Sequence, residues 1–290
     1  MKPIVFYTTF SQVGYKVYGD SWIGSFLKYT EKYPHITAKI YIDGDDTKDL
    51  LIKNDKIEIL DYDTHIVDRK EWVKLYEEKA VHKGYVYEAA FKFSFKAFVM
   101  MHMLTEVNQG YAVWLDADCT FEDDPGDDFI EETLQGKFVA CQKEPACNHV
   151  ESGIVVFDAE HVDKQKFIDT LRASYMVPEK FNSFNELFDG FVIYRTLDDT
   201  NVPYVDLNEG YGKHGMQSDP TLTFLNPILS KRFRHNIGIT GKRSYETWSK
   251  YVLSDKFLKL LPMPIEEQLN QMMEDRIRKI NEDIAAGRIR

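Results

Sequence analysis

The sequence predicts an α/β protein whose mostly parallel sheet is covered by helices on both faces, and three observations carry that prediction. Short β-branched and aromatic runs alternate with segments of helical period through the first two-thirds of the chain. The run Ala112 to Leu115 is continuously apolar, as expected of a strand buried on both faces of a parallel sheet. A length of 290 residues with 43% hydrophobic and 14% aromatic content supplies the core for one large domain, alone or with a helical extension.

In chain order, PIVFYTT at 3–9 reads as a buried first strand. Trp22, Ile23, Phe26, Leu27 and Tyr33 recur near helical spacing, which predicts a helix over 20–33 with Asp20 as its N-cap. The segment between them, with Gly14, Tyr15, Tyr18 and Gly19, reads as a loop. Strands follow at 36–42 and around 57–60, helices at 66–79 and 85–107, and a strand at 111–115 that ends in carboxylates. Further strands are expected at 137–141 and 153–157, with a helix near 160–175. Residues 244–260 and 265–285 are helix-like, punctuated by Pro262 and Pro264. The apolar stripe of Ile265, Leu269, Met272, Met273, Ile277, Ile280 and Ile284 is expected to pack on its own domain, a homodimer through this helix being the alternative.

Composition excludes several function classes. A formal net charge of -11 argues against a nucleic-acid-binding face, which needs clustered Lys and Arg. An acidic protein that binds an anionic nucleotide must use a local cationic pocket or a metal ion. Cys119, Cys141 and Cys147 lack zinc-motif or redox-motif spacing and read as reduced thiols. No apolar run approaches the roughly 20 residues of a membrane span. The N-terminal residues enter a strand pattern without a signal-peptide core, and no Asn-x-Ser/Thr sequon occurs. A cytoplasmic protein is expected. Asp43-Gly44-Asp45-Asp46 opens like a calcium loop but lacks Gly at the sixth position. Gly210-Tyr211-Gly212-Lys213-His214-Gly215 fits a dinucleotide pattern only formally, because Asp219-Pro220 follows where a helix is required.

The most informative stretch is Trp114-Leu115-Asp116-Ala117-Asp118. Ligands of open α/β sheets sit beyond the carboxyl ends of the strands. On an extended backbone Asp116 and Asp118 point the same way and converge on one site. Two close carboxylates repel unless a cation lies between them, and a hard divalent ion bridging to a diphosphate meets that need. The run Glu122, Asp123, Asp124, Asp127 and Asp128, interrupted by Pro125 and Gly126, reads instead as a hydrated loop.

VWLDAD resembles the Asp-x-Asp element of GT-A glycosyltransferases, which holds Mn²⁺ or Mg²⁺ against a nucleoside-diphosphate sugar. Three later segments fall in the order such enzymes show. Glu151-Ser152-Gly153-Ile154-Val155-Val156-Phe157 is similar to the turn and strand after the metal site, although the family turn often begins with Asn. Phe188-Asp189-Gly190-Phe191-Val192 resembles an acidic element near donor sugar or acceptor. His235-Asn236-Ile237-Gly238 followed by Gly241-Lys242-Arg243 resembles a late His…Gly…Lys element of retaining families, with one residue more between Gly238 and Lys242. Phe93-Ser94-Phe95-Lys96 is similar to a helical element of phage and bacterial GT-A-like proteins. More distantly, the set resembles retaining glycogenin-like and galactosyltransferase-like enzymes.

The resemblance implies a GT-A catalytic domain over 1–250 with a helical extension over 251–290, in a bacterial or phage-infected cytosol. It implies a UDP-sugar donor and an unidentified acceptor, whether glycan, protein or small molecule. Asp118 would ligate the metal, Asp116 would ligate it or orient the ribose, with Ala117 between them, and His235 would be a third ligand. Lys242 and Lys96 would balance the leaving diphosphate. Asp189 or Glu151 would be the base of an inverting reaction, whereas in a retaining one the leaving phosphate takes the proton. Thr8, Thr9, Phe10 and Tyr15 would hold nucleobase and ribose, and Asp43 the base. Lys231, Arg232 and Arg234 form either a solvated face or a phosphate-neutralising cluster, and Lys92 either a solvent ladder or an anion contact. A nucleotidyltransferase and a non-catalytic carbohydrate- or partner-binding protein are the rival readings.

Overall fold

The structure is a computed structural model that describes residues 1–43, 54–81, 85–126, 128–144, 148–209, 224 and 226–235. The expected C-terminal helices with their apolar stripe, the segment 210–215 and Lys242 lie outside the described residues.

The first strand β1 (Ile4–Ser11) passes directly into α1 (Gln12–Thr30), whose N-cap is Ser11, its side chain accepting from the Gly14 amide at 3.0 Å. The helix therefore begins eight residues before the expected start at Asp20, and Asp20 lies within it. The glycines at 14 and 19 mimic a loop, but the hydroxyl at Ser11 already satisfies the first turn. Then come β2 (Ile36–Asp43), β3 (Ile57–Asp61), a one-turn α2 (Tyr62–His65), α3 (Val67–Lys79) and the long α4 (Tyr85–Glu106). The second half contains β4 (Tyr111–Leu115), β5 (Cys119–Phe121), α5 (Phe129–Leu134), β6 (Val139–Glu144), β7 (His149–Asp158), α6 (Lys164–Met176), α7 (Pro178–Ser183), α8 (Asp189–Thr200), β8 (Tyr204–Asp206), α9 (Pro227–Arg232) and β9 (Phe233–His235).

Seven strands form one sheet in the order β3-β2-β1-β4-β7-β6-β8. Every pairing is parallel except those of β7, which runs against both β4 and β6. The expected mostly parallel sheet is thus present, with one reversed strand. That reversal brings the beginning of β7 to the edge where β4 ends, so that Leu115 faces Ile154 and the Asp116 amide donates to the Gly153 carbonyl at 2.8 Å.

Strand alternation divides the core between the two faces. Tyr7, Tyr41, Trp114, Val155 and Phe157 pack beneath α3, α4 and α6. Ile4, Phe6, Ile40, Leu115 and Val156 pack beneath α1 and the two-stranded sheet formed by β5 and β9. Phe121 of β5 meets four rings, those of Phe6, Trp22, Phe26 and Phe233, with centroids 5.1–6.0 Å away and edge-on geometry throughout. The short sheet is pinned to the domain by these rings, and pairing Cys119 with His235 carries the late His back to the end of β4.

Within the acidic run Glu122 and Asp128 are exposed, as a hydrated loop would have them, but Asp124 is tied down. Asp124 accepts from Tyr33 and the Gly126 amide, each at 2.8 Å, and pairs with Lys32. Arg232, expected on a solvated or phosphate-facing surface, is buried; it donates to the Pro125 carbonyl at 2.9 Å and pairs with Glu132 at 2.9 Å. The physical reason is stapling: Arg232 and Asp124 tie α9 and α1 to the same segment.

Replacing Phe121 with Ala should cost about 3–5 kcal/mol of unfolding free energy, because it removes the ring common to four contacts. Denaturant unfolding measures this; a loss below about 1 kcal/mol would mean the rings do not anchor the short sheet.

Candidate active site

The site lies where β4 leaves the sheet. Past Leu115 the chain turns rather than staying extended, the Cys119 amide donating to the Asp116 carbonyl at 3.0 Å. Asp116 and Asp118 therefore take different surroundings instead of converging as equivalent neighbours along a strand.

Asp116 faces inward. Its Oδ1 accepts from the Trp114 indole at 2.7 Å, and Lys96 Nζ lies 2.7 Å from Oδ1 and 2.8 Å from Oδ2. The same ammonium reaches Asp189 Oδ2 at 2.7 Å and donates to Ser152 Oγ at 2.9 Å. Ser152 Oγ in turn donates to Asp189 Oδ2 at 2.5 Å. Asp189 opens α8, which can approach β7 only because residue 190 is glycine; a Cβ there would meet the Val150 carbonyl oxygen at 2.4 Å. Burial disfavours the Lys96 charge, but Asp116 and Asp189 outweigh it and raise the pKa above that of an ordinary lysine. Burial likewise opposes the Asp189 carboxylate, yet Lys96 and Ser152 hold its pKa below the usual value. Asp116 is raised, burial exceeding the opposing effect of Lys96.

Asp118 faces His235, with Oδ1 3.1 Å from Nε2. The other ring nitrogen lies 3.6 Å from Glu151 Oε1. The imidazole lies against Gly153, where a Cβ would come within 3.0 Å of Nδ1. Burial lowers the basicity of His235, but Asp118 and Glu151 reverse this and push its pKa up to about 9. Glu151 is raised by burial, against the pull of His235 and Lys96, and its Oε1 accepts from the Gly153 amide at 3.0 Å.

These residues suit a divalent cation. Four carboxylates, Asp116, Asp118, Glu151 and Asp189, share the site with Lys96 and His235. Neutral imidazole would leave the group net negative. Among the described residues, the cluster whose donor atoms approach within 4.8 Å of one another is Asp118, Cys119 and His235, with Asp116 outside it. Sequence reasoning included Asp118 and His235 and missed Cys119, whose proximity depends on the β5–β9 pairing.

The other expected residues are dispersed. Thr8, Phe10 and Tyr15 are buried, and the Phe10 and Tyr15 rings meet edge-on at 5.6 Å within the core. Because α1 starts at Gln12, Tyr15 faces the sheet, so it and Phe10 pack there instead of presenting themselves to a nucleobase. Thr9 is partly exposed and donates to the Tyr41 carbonyl at 3.0 Å; Asp43 stands opposite Ser11 at the end of β2. Ala117 lies half-buried between the two carboxylates. Lys92 is exposed, whereas Lys96 pairs with Asp116 and Asp189.

At the level of sequence the chain matches no protein-family model and no curated protein. Its fold resembles galactosyltransferase LgtC, solved with donor and acceptor sugar analogues, at TM-score 0.51 and 10% identity over 89% of this chain and 100% of that one. It also resembles glycosyltransferase GlyE of Streptococcus pneumoniae TIGR4, at TM-score 0.51 and 12% identity over 96% of this chain and 64% of that one. The fold is the GT-A fold.

Lys96→Met should lower unfolding free energy by about 3 kcal/mol, since it strands the buried Asp189 and the half-buried Asp116 carboxylates. Lys92→Met, four residues away and exposed, should stay within about 0.5 kcal/mol. Equal effects in denaturant titrations would remove the buried ammonium from its central place.

Proposed function

We propose that this protein is a cation-dependent glycosyltransferase that moves a sugar from a nucleoside-diphosphate donor, UDP-sugars first among candidates, to an acceptor hydroxyl. The observation that carries the reading is the Asp118–His235 pair at the carboxyl edge of β4 on a GT-A fold. Asp118 and His235 would hold the cation, manganese fitting an imidazole better than magnesium, and when bound it supplies positive charge against the donor diphosphate.

The chain's own groups divide the remaining work. Asp116, clamped by Trp114 and Lys96, presents a fixed carboxylate edge suited to orienting a ribose hydroxyl. Lys96 and Asp189 position that edge; Asp189 is 4% exposed and engaged by Lys96 and Ser152, which makes it a poor base. Glu151 is the better base for an inverting transfer. Its side chain is 24% exposed and burial strengthens its hold on a proton, so it can accept one from an acceptor hydroxyl. In a retaining transfer the leaving phosphate would take that proton, and Lys242 is the remaining cation assigned to the departing diphosphate. Thr9 and Asp43, at the carboxyl ends of β1 and β2, are the candidates nearest a base and ribose. The acceptor is a glycan, a protein or a small molecule. The acidic balance of the chain speaks against nucleic acid.

A nucleotidyltransferase is disfavoured by the β1–α1 junction. Such enzymes need a glycine-rich basic loop after the first strand, and here Ser11 passes directly into helix. Incubation with UDP-sugars and Mn²⁺ separates the readings: transfer or donor hydrolysis releases UDP, nucleotidyl transfer yields pyrophosphate, and a binding protein yields neither.

UDP with Mn²⁺ should raise the melting temperature by several degrees through selective binding to the native state, with the shift abolished by EDTA. Equal stabilisation in EDTA would sink the cation bridge. Asp118→Asn should abolish product formation while the protein remains folded, and Asp123→Asn should leave turnover near wild type. Near-full activity in Asp118→Asn would overturn the central assignment.

A further inference from the structure

We propose that Cys119 is a third protein ligand of this cation site, which makes it a carboxylate–imidazole–thiolate centre that takes zinc or cobalt in preference to magnesium. The inference rests on the cation-site reading above and deepens it. Cys119 and His235 are direct cross-strand partners in β5 and β9, so their side chains share one face of the short sheet. Asp118 precedes Cys119 immediately, and the turn closed by the Asp116 carbonyl brings its carboxylate round to the same place. The three donor atoms already lie within 4.8 Å of one another. Tetrahedral zinc, with bond lengths of about 2.0–2.3 Å, separates its ligands by roughly 3.3–3.8 Å, so small side-chain rotations close the set.

Two independent observations point to a ligand here. The His235 side chain is 10% exposed; its Nε2 faces Asp118 at 3.1 Å, and its buried Nδ1, 3.6 Å from Glu151, makes no hydrogen bond, so the ring is not fully satisfied by protein groups. Nearby, Gly153 leaves out the side chain that would press on the ring. The Cys119 thiol is fully buried and makes a weak 3.7 Å donation to the Gly153 carbonyl.

The ligand types set the preference. Magnesium takes oxygen ligands and gains little from imidazole and nothing from sulfur, whereas thiolate and imidazole together suit zinc. Metal binding exchanges the thiol proton for a metal–sulfur bond, the proton leaving to solvent. Three protein ligands leave one tetrahedral position open, the pattern of a site that admits a substrate oxygen.

The test titrates the full-length, metal-stripped protein with Zn²⁺, Co²⁺ and Mn²⁺, each alone and without nucleotide. Wild type should bind Co²⁺ with a near-ultraviolet thiolate-to-cobalt charge-transfer band. Cys119→Ser and Cys119→Ala should lose the band and weaken Zn²⁺ binding at least tenfold, read against a competing chelator, while Mn²⁺ affinity stays within about twofold. Retained Mn²⁺ binding also reports that the variants fold. A band that persists in both variants, or unchanged Zn²⁺ affinity, overturns the role of Cys119. If Asp118→Asn and His235→Ala leave all three ions bound as before, the failure belongs to the cation site itself.

Discussion

Lys96 carries a positive charge that is largely shielded from water and is held there by Asp116, Asp189 and Ser152 together. An isolated ammonium at this depth would shed its proton, and isolated carboxylates there would take one up; the charged states persist because each makes the others tolerable. The partners come from α4, from the end of β4, from the start of β7 and from the first turn of α8. Four elements are thereby registered at one point, and the orientation of Asp116 follows from that registration.

Beside this cluster lies a second one, in which His235 stands between two further carboxylates. Asp118 and Glu151 flank the two ring nitrogens of His235 at 3.1 and 3.6 Å, an arrangement suited to the cation proposed above. The protein thus separates two tasks that the Asp-x-Asp spacing suggests are shared. Asp116 is fixed by Trp114 and Lys96, and Asp118 faces His235, where the proposed cation would bind.

Much of the frame was legible. The continuous apolar run at 112–115 marks a strand buried on both faces, and the carboxylates after it mark the edge where ligands bind. The helical period over 66–79 and 85–107 identifies α3 and α4. The reversal of β7 was not legible, because a strand's local pattern is the same in either direction. Three-residue strands such as β5 and β9 carry no measurable alternation, so the partnership of Cys119 with His235 arises only from tertiary packing. The start of α1 was misread because Gly14 and Gly19 imitate a loop, while Ser11, in plain view, was the cap. Lys96 was found by its position on α4, but its role was assigned to a phosphate. The carboxylate that consumes its charge is delivered by α8, an element absent from the sequence reading.

The pairing of β5 with β9 also orders events in time. Lys96, Asp116, Asp118, Glu151 and Asp189 are all synthesised well before His235. The strand bearing His235 docks onto β5 by a long-range contact, a kind that forms late because its loop must first be closed. A chain still emerging from the ribosome can assemble the sheet and its buried ion cluster while lacking the imidazole. A cation site that draws on His235, as proposed above, would thereby be completed only once residue 235 has left the exit tunnel, after most of the sheet can fold.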